Sequence, residues 1–192
     1  MYCAKLDEKG MHLKNGLITV LYLTIVVNAF GQGGNDRMMK IDVNEILRME
    51  DETLAIIKLD SVLNEISDYG QQIARLTEAQ KVFLIVENLE REVNNGGFNQ
   101  FFFNSAGEFA HETVTALRAI GAFKTANVVL KAISVWPYQQ VPKDRSKRRM
   151  MMEEMSERAS IVWEECDEKF YVYEDKIGSL LLEYVKMNRS DF

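Results

Sequence analysis

Two histidines, His12 and His111, and two cysteines, Cys3 and Cys166, are what the chain offers for nucleophilic, general-base or soft-metal chemistry. His111 is followed by Glu112 and preceded at i−3 by Glu108. On a helix that spacing could build an acid–base or metal-binding face. Neighbouring residues such as His111 and Glu112 point to different sides of a helix, however, and no HExxH run supplies a second imidazole. Cys166 lies among Glu164, Glu165, Asp167 and Glu168, carboxylates that raise a thiol pKa and blunt its reactivity. The expectation is a protein without a metal, a cofactor or a catalytic set. An exported enzyme, a hydrolase with a cleft near His111, is the alternative reading.

The residues better suited to contact lie in the run Asn94-Asn95-Gly96-Gly97-Phe98-Asn99-Gln100-Phe101-Phe102-Phe103-Asn104-Ser105-Ala106-Gly107. The amides of Asn95, Asn99, Gln100 and Asn104 could hold a ligand or partner. They could equally cap helix ends and bond an irregular backbone, as asparagine beside glycine commonly does. Phe98, Phe101 and Phe102 share one face at i, i+3, i+4 spacing. Phe103 falls off that stripe, which makes it the aromatic candidate for an exposed contact. Carboxylates cluster at Glu50-Asp51-Glu52, at Glu87, Glu90 and Glu92, at Glu153, Glu154 and Glu157, and at Glu164, Glu165, Asp167 and Glu168. Of these, Glu87, Glu90, Glu164, Glu165 and Asp167 join Asn95, Asn99, Gln100, Phe103 and Asn104 as the candidate partner-binding set. Blocks this short are also ordinary solvated helix faces. Arg145, Lys147, Arg148 and Arg149 form the one basic cluster, able to pair with carboxylates inside the molecule or across a dimer.

Helices must position these groups. Leu54, Ile57, Val62, Ile66 and Tyr69 recur at helical spacing in a first helix from about Val43 to Tyr69. Thr77-Glu78-Ala79-Gln80 has the form of a capping box and opens a second, whose buried stripe is Val82, Phe83, Val86, Leu89 and Val93. Gly96 and Gly97 then turn the chain sharply. Ser105-Ala106-Gly107-Glu108 reads as a second capping box, with Phe109, Thr113, Leu117 and Ile120 buried behind it. Gly121 suits a helix end, and Phe123, Ala126, Leu130 and Ile133 mark the inner face of the next helix, which Pro137 forbids from continuing. A methionine-rich helix follows the basic run. A last helix, about Glu174 to Met187, buries Ile177, Leu180, Leu181, Tyr184 and Val185. No segment alternates with period two for long enough to demand a strand. The expected fold is all-α, an irregular bundle of about six amphipathic helices around a Gly-Gly/Phe-rich connection.

With 192 residues, 47% of them hydrophobic and only two prolines, the chain suits one helical domain. Its net charge of −6 argues against direct binding to nucleic acid or an anionic membrane. Residues 1–31 read as a signal peptide: Lys14, the apolar run Leu17–Val27, then small residues Ala29 and Gly31. That run is shorter than the roughly 20 apolar residues of a membrane span. Residues 32–42 form a glycine-rich lead-in and 43–192 a single domain. The expected location is the periplasm or the exterior if the leader is cleaved, and otherwise the cytoplasm.

Through Asn95-Gly96-Gly97-Phe98-Asn99-Gln100, Phe102, Asn104-Ser105-Ala106-Gly107-Glu108, Ala116-Leu117 and Ile120-Gly121-Ala122, the chain resembles the DUF4375 proteins, the family that includes the neisserial DNA-mimic protein. The likeness extends over about residues 45–187, with a weaker echo in the acidic, tyrosine-bearing segment from Asp167 to Tyr184. It implies an all-helical domain without an assigned catalytic activity. For one member it implies a dimer whose surface carboxylates imitate DNA phosphates and occupy a transcription factor. The corresponding expectation is a non-enzymatic module that engages a basic or DNA-binding protein through an acidic helical face, with a homodimer compatible. Export would separate the mature protein from such a partner, and the basic cluster at 145–149 departs from the pattern.

Overall fold

The computed structural model describes residues 42–192. The leader and most of the lead-in lie outside the described residues. Asp42, the last residue of the lead-in, caps a one-turn helix α1 (Val43–Ile46) by accepting the amides of Asn44 and Glu45 at 3.1 Å. Seven further helices follow: α2 (Glu52–Ile66), α3 (Glu78–Phe103), α4 (Ala110–Ala119), α5 (Phe123–Ile133), α6 (Arg145–Glu154), α7 (Ser156–Tyr171) and α8 (Ile177–Met187). No strand occurs among the described residues, so the all-α expectation holds.

The central element is α3, which packs against α2, α4, α6, α7 and α8. Its start follows the sequence rule: Thr77 Oγ1 accepts the Gln80 amide at 3.1 Å and Gln80 Oε1 accepts the Thr77 amide at 3.0 Å. Its inner face carries Phe83, Leu84, Val86, Leu89 and Val93, all fully buried. Beyond the glycines, Phe98, Phe101 and Phe102 are buried as well. Phe102 meets Trp163 at 5.0 Å and Trp136 at 5.3 Å between ring centroids, joining α3 to α7 and to the segment after α5. Each such ring contributes about 1.5–3 kcal/mol through removal from water.

The helix α4 ends in a Schellman turn: Gly121 has φ +86°, its amide donates to Arg118 O at 3.1 Å and that of Ala122 to Leu117 O at 2.8 Å. The α4–α5 hairpin follows from it. Three local expectations differ from the structure. The helix expected over 43–69 breaks at 47–51, because Asp51 caps a new start by accepting the Leu54 amide at 3.1 Å. The second capping box does not form; Ser105–Phe109 is a 3-10 turn without a side-chain cap. On α2 and α5, Leu54, Phe123 and Leu130 face outward, being 41%, 61% and 39% exposed. On α5 the residues facing inward are Thr125, Ala126, Val129, Ala132 and Ile133.

Candidate functional site

The Gly-Gly connection is held at three points. Gly97 has φ +69°, in the left-handed region that favours glycine. There the carboxylate of Asp167, reaching from α7, accepts the Phe98 amide at 2.7 Å and caps the aromatic half-helix 98–103 from outside. A Cβ on Gly97 would stand 2.1 Å from Asp167 Oδ2. Glycine is therefore required twice over, by conformation and by the closeness of the cap. Burial pushes the Asp167 carboxyl up to about 6, against the pull of the Phe98 amide, with Glu164 adding to the rise.

The second point bridges the break. Glu92 Oε2 accepts Gln100 Nε2 at 2.9 Å and Asn104 Nδ2 at 2.8 Å, so one carboxylate from before the glycines holds two amides from after them.

The third point is a set of arginines on the C-terminal carbonyls of α3. Arg148, wholly buried, donates to Phe102 O at 2.6 Å, Asn104 O at 2.7 Å, Pro142 O at 2.8 Å and Lys143 O at 2.9 Å. Arg149 donates to Phe103 O at 3.0 Å, and its guanidinium lies 3.7 Å above the Phe103 ring. Arg145 reaches Asn104 Oδ1 at 3.2 Å. Cations at the negative end of a helix, with carbonyls otherwise left over, are doubly favourable. Gly107 makes room for this: a Cβ there would lie 2.8 Å from both Arg148 Nε and Phe102 O. Burial lowers the Arg148 pKa, while Glu108 and Asp144 act to raise it.

A separate polar cluster runs along α3 towards the glycines. Asp60 of α2 pairs with Arg91 at 2.7 Å and accepts Asn64 Nδ2 at 2.9 Å. Beside this pair, Glu87 is buried and Glu90 half-buried. Desolvation raises both pKa values, that of Glu90 to about 7 and that of Glu87 well above the carboxylate range, where Glu90 and Asp60 add repulsion. The Tyr173 hydroxyl bonds Glu90 and accepts Asn94 Nδ2 at 2.6 Å.

The candidate residues therefore fall into distinct places. Gln100, Asn104 and Asp167 are spent on the connection itself. Glu87 and Glu90 belong to the inner cluster. Asn95 and Asn99 are exposed, and Phe103 is 44% exposed beneath Arg149. Glu164 is exposed and Glu165, also exposed, pairs with Lys131. His111 Nε2 accepts the Val141 amide at 3.2 Å while Gln100 is tied to Glu92, so these two do not converge on a common cleft. Cys166 is buried, its thiol pushed up to about 11 by desolvation.

Sequence reasoning missed Arg148, Gly107 and the linking role of Glu92. A signal for Arg148 was present: it precedes the buried Met152 by four residues and so shares its inward face.

The outer face of α7 has a different character. Glu157, Ile161, Glu164, Glu165, Glu168 and Val172 are all exposed, opposite Ala159, Trp163, Cys166 and Phe170, which are buried. Glu157, Glu164 and Glu168 make no ion pair among the described residues. Near the helical repeat, residues 157, 161, 164, 168 and 172 form one outward stripe about 22 Å long.

These features describe an all-helical protein with an internally secured aromatic connection and one outward acidic helix. The model of the DMP19-like protein family matches residues 74–188, and the chain belongs to that family. The match covers the capping box, the glycine connection, the arginines and α7. No curated protein and no solved structure matches the chain.

Proposed function

We propose that the protein is a non-enzymatic binding module of the DUF4375 type that engages a basic protein partner through the outer face of α7. The observation that supports this most is the set Glu157, Glu164 and Glu168, exposed along one helix and without an ion pair among the described residues. Family membership supports it independently. Carboxylates placed this way attract and orient a cationic surface, and Ile161 and Val172 between them add apolar contact.

Imitation of DNA is the finer form of this reading. A duplex presents two rows of phosphates and α7 contributes one row of carboxylates, so mimicry requires further carboxylates from neighbouring elements or a second copy. It also requires that the protein share a compartment with DNA-binding proteins. We infer export of the mature chain from residues 1–31, under which the basic partner is extracytoplasmic and DNA imitation does not operate. N-terminal sequencing of the mature product decides this: a start near Gln32 in the periplasm or medium supports export, and a cytoplasmic chain that retains residues 17–31 contradicts it.

The binding reading is tested with the triple variant Glu157→Gln/Glu164→Gln/Glu168→Gln. The expected result is loss of a salt-sensitive interaction that wild type makes with a basic protein, with folding unchanged. Equal binding by wild type and variant would overturn it.

A further inference from the structure

The first turns of α6 hold cations that no carboxylate among the described residues neutralises. Arg145 and Arg149, four residues apart, share one flank of the helix and reach the end of α3. Each spends only part of its guanidinium there. Arg149, half-buried, donates Nε to Phe103 O and lies over the Phe103 ring, and neither of its Nη atoms has a hydrogen bond among the described residues. Arg145 donates Nε to the same carbonyl at 3.4 Å and Nη2 to Asn104 Oδ1. No ion pair reaches either arginine among the described residues. The carboxylates near by are placed otherwise. Asp144 accepts the Lys147 amide at 2.7 Å and Glu112 pairs with Lys143. Glu153, one turn beyond Arg149, stands exposed and makes no ion pair among the described residues. Apolar side chains flank the arginines: Met150, the next residue around the helix from Arg149, is 55% exposed, and Phe103 beneath the guanidinium is exposed too.

We propose that this flank of α6 binds a short acidic segment of a partner protein, with a side-chain carboxylate on the open Nη edge of Arg149 and an apolar neighbour on Met150. A guanidinium with both Nη atoms open matches a carboxylate in two parallel N–H···O bonds. Arg149 is already bonded at Nε and stacked on a ring, so little side-chain freedom remains to be lost on binding. The charge of the chain bears on the size of the occupant. A net charge of −6 repels a long polyanion such as nucleic acid or an anionic bilayer. A segment with two or three carboxylates responds chiefly to cations within a Debye length of about 10 Å, and here those are Arg145 and Arg149. Exposed Phe103 and Met150 further suit a segment in which acidic and apolar residues alternate, because a bare polyanion leaves them uncovered. This surface is opposite in sign to the outer face of α7, and the proposal does not depend on that reading.

Fluorescence anisotropy tests it, using the full chain and a labelled peptide of about 12 residues that alternates Asp or Glu with Leu. The peptide is acetylated and amidated at its ends, so that its carboxylates are side chains only. The expected result is a dissociation constant of about 10–300 µM that rises with salt. The same peptide with Asn and Gln in place of its acids should not bind. Arg149→Gln should weaken binding about tenfold or more. Arg149→Lys, which keeps the charge and loses the planar fork, should weaken it about threefold or more. Met150→Glu should weaken it about tenfold from an exposed position, with circular dichroism and melting midpoint at wild-type values, and so separates binding from folding. Lys176→Gln, an exposed lysine at the head of α8, removes the same charge elsewhere and should bind as wild type does. A single-stranded oligonucleotide of about 12 nucleotides and vesicles containing phosphatidylserine should bind more weakly than the peptide. The proposal fails if the acidic peptide does not bind wild type at about 1 mM, or if its Asn/Gln counterpart binds equally well. It fails if either Arg149 variant or Met150→Glu keeps wild-type affinity, or if Lys176→Gln loses as much as Arg149→Gln. It fails equally if the oligonucleotide or the vesicles bind more tightly than the peptide.

Discussion

The connection at 96–107 and the outer face of α7 are both rich in polar side chains, but they use them in opposite ways. In the connection the charged groups that hold it are turned on the protein's own backbone and side-chain amides. Asp167 serves one amide, Glu92 serves two side-chain amides, and Arg148 serves four carbonyls. On α7, Glu157, Glu164 and Glu168 make no ion pair among the described residues. An irregular buried segment must first satisfy its own donors and acceptors, whereas a regular helix has already done so and leaves its outer side chains free for others. Sequence distinctiveness therefore marks a structural demand here, and the plainer helix carries the surface available for contact.

Substitutions can break this comparison. The largest effect should come from Arg148→Ala, which strips four carbonyls of their shared donor at a buried site; a loss of about 3–5 kcal/mol is expected in urea unfolding. Gly97→Ala comes next, at about 2–4 kcal/mol, because it adds left-handed strain and a clash with the Asp167 cap. Gly97→Ala combined with Asp167→Gly should recover part of that loss, since it removes the clash and leaves the strain.

The inner carboxylates should appear in the pH dependence of stability. The folded-state pKa values of Glu90, about 7, and Asp167, about 6, lie above their ordinary values. Between the ordinary and the raised values the folded state binds more protons than the unfolded state, so stability should fall as pH rises from about 4 to about 7. Glu90→Gln should match wild type near pH 4 and exceed it at pH 8, by on the order of 1–3 kcal/mol in urea melts. The Glu87–Glu90 pair titrates jointly, so a single sharp step at either residue is not expected.

A smaller effect is expected at Tyr138. It is 96% exposed with φ +54°, and its neighbour Gln139 has φ +56°. Replacement by glycine should relieve left-handed strain and raise the melting midpoint, by up to about 1 kcal/mol in stability.

The fold was largely legible in the sequence because helical spacing and caps are local properties. Thr77–Gln80 and Gly121 behaved as their residue types dictate. The faces of α5 were not legible. Phe123 and Leu130 fit an apolar stripe as well as Ala126 and Ile133 do, and only the close packing of Ala126 and Ala132 decides which side faces in. The roles of Asp167 and Arg148 were not legible either, because their partners lie 69 and 46 residues away along the chain. A short-range pattern carries no information about such contacts. The Asn and Gln residues were legible in kind, as loop-bonding amides or contact groups; the structure ties Gln100 and Asn104 to Glu92 and leaves Asn95 and Asn99 exposed.

The smallest effect on stability, and the largest on binding, should come from α7. The titration of a basic peptide, an arginine-rich helix of about 20 residues, into wild type, the Glu157→Gln/Glu164→Gln/Glu168→Gln variant and an Asn99→Ala/Phe103→Ala variant tests the central claim most directly. Salt-sensitive binding is expected that the α7 variant loses by about tenfold or more and the connection variant retains, with the α7 variant unfolding within about 0.5 kcal/mol of wild type and the connection variant losing about 1 kcal/mol with the Arg149–Phe103 contact. Binding that survives on the α7 variant and disappears from the connection variant would contradict it.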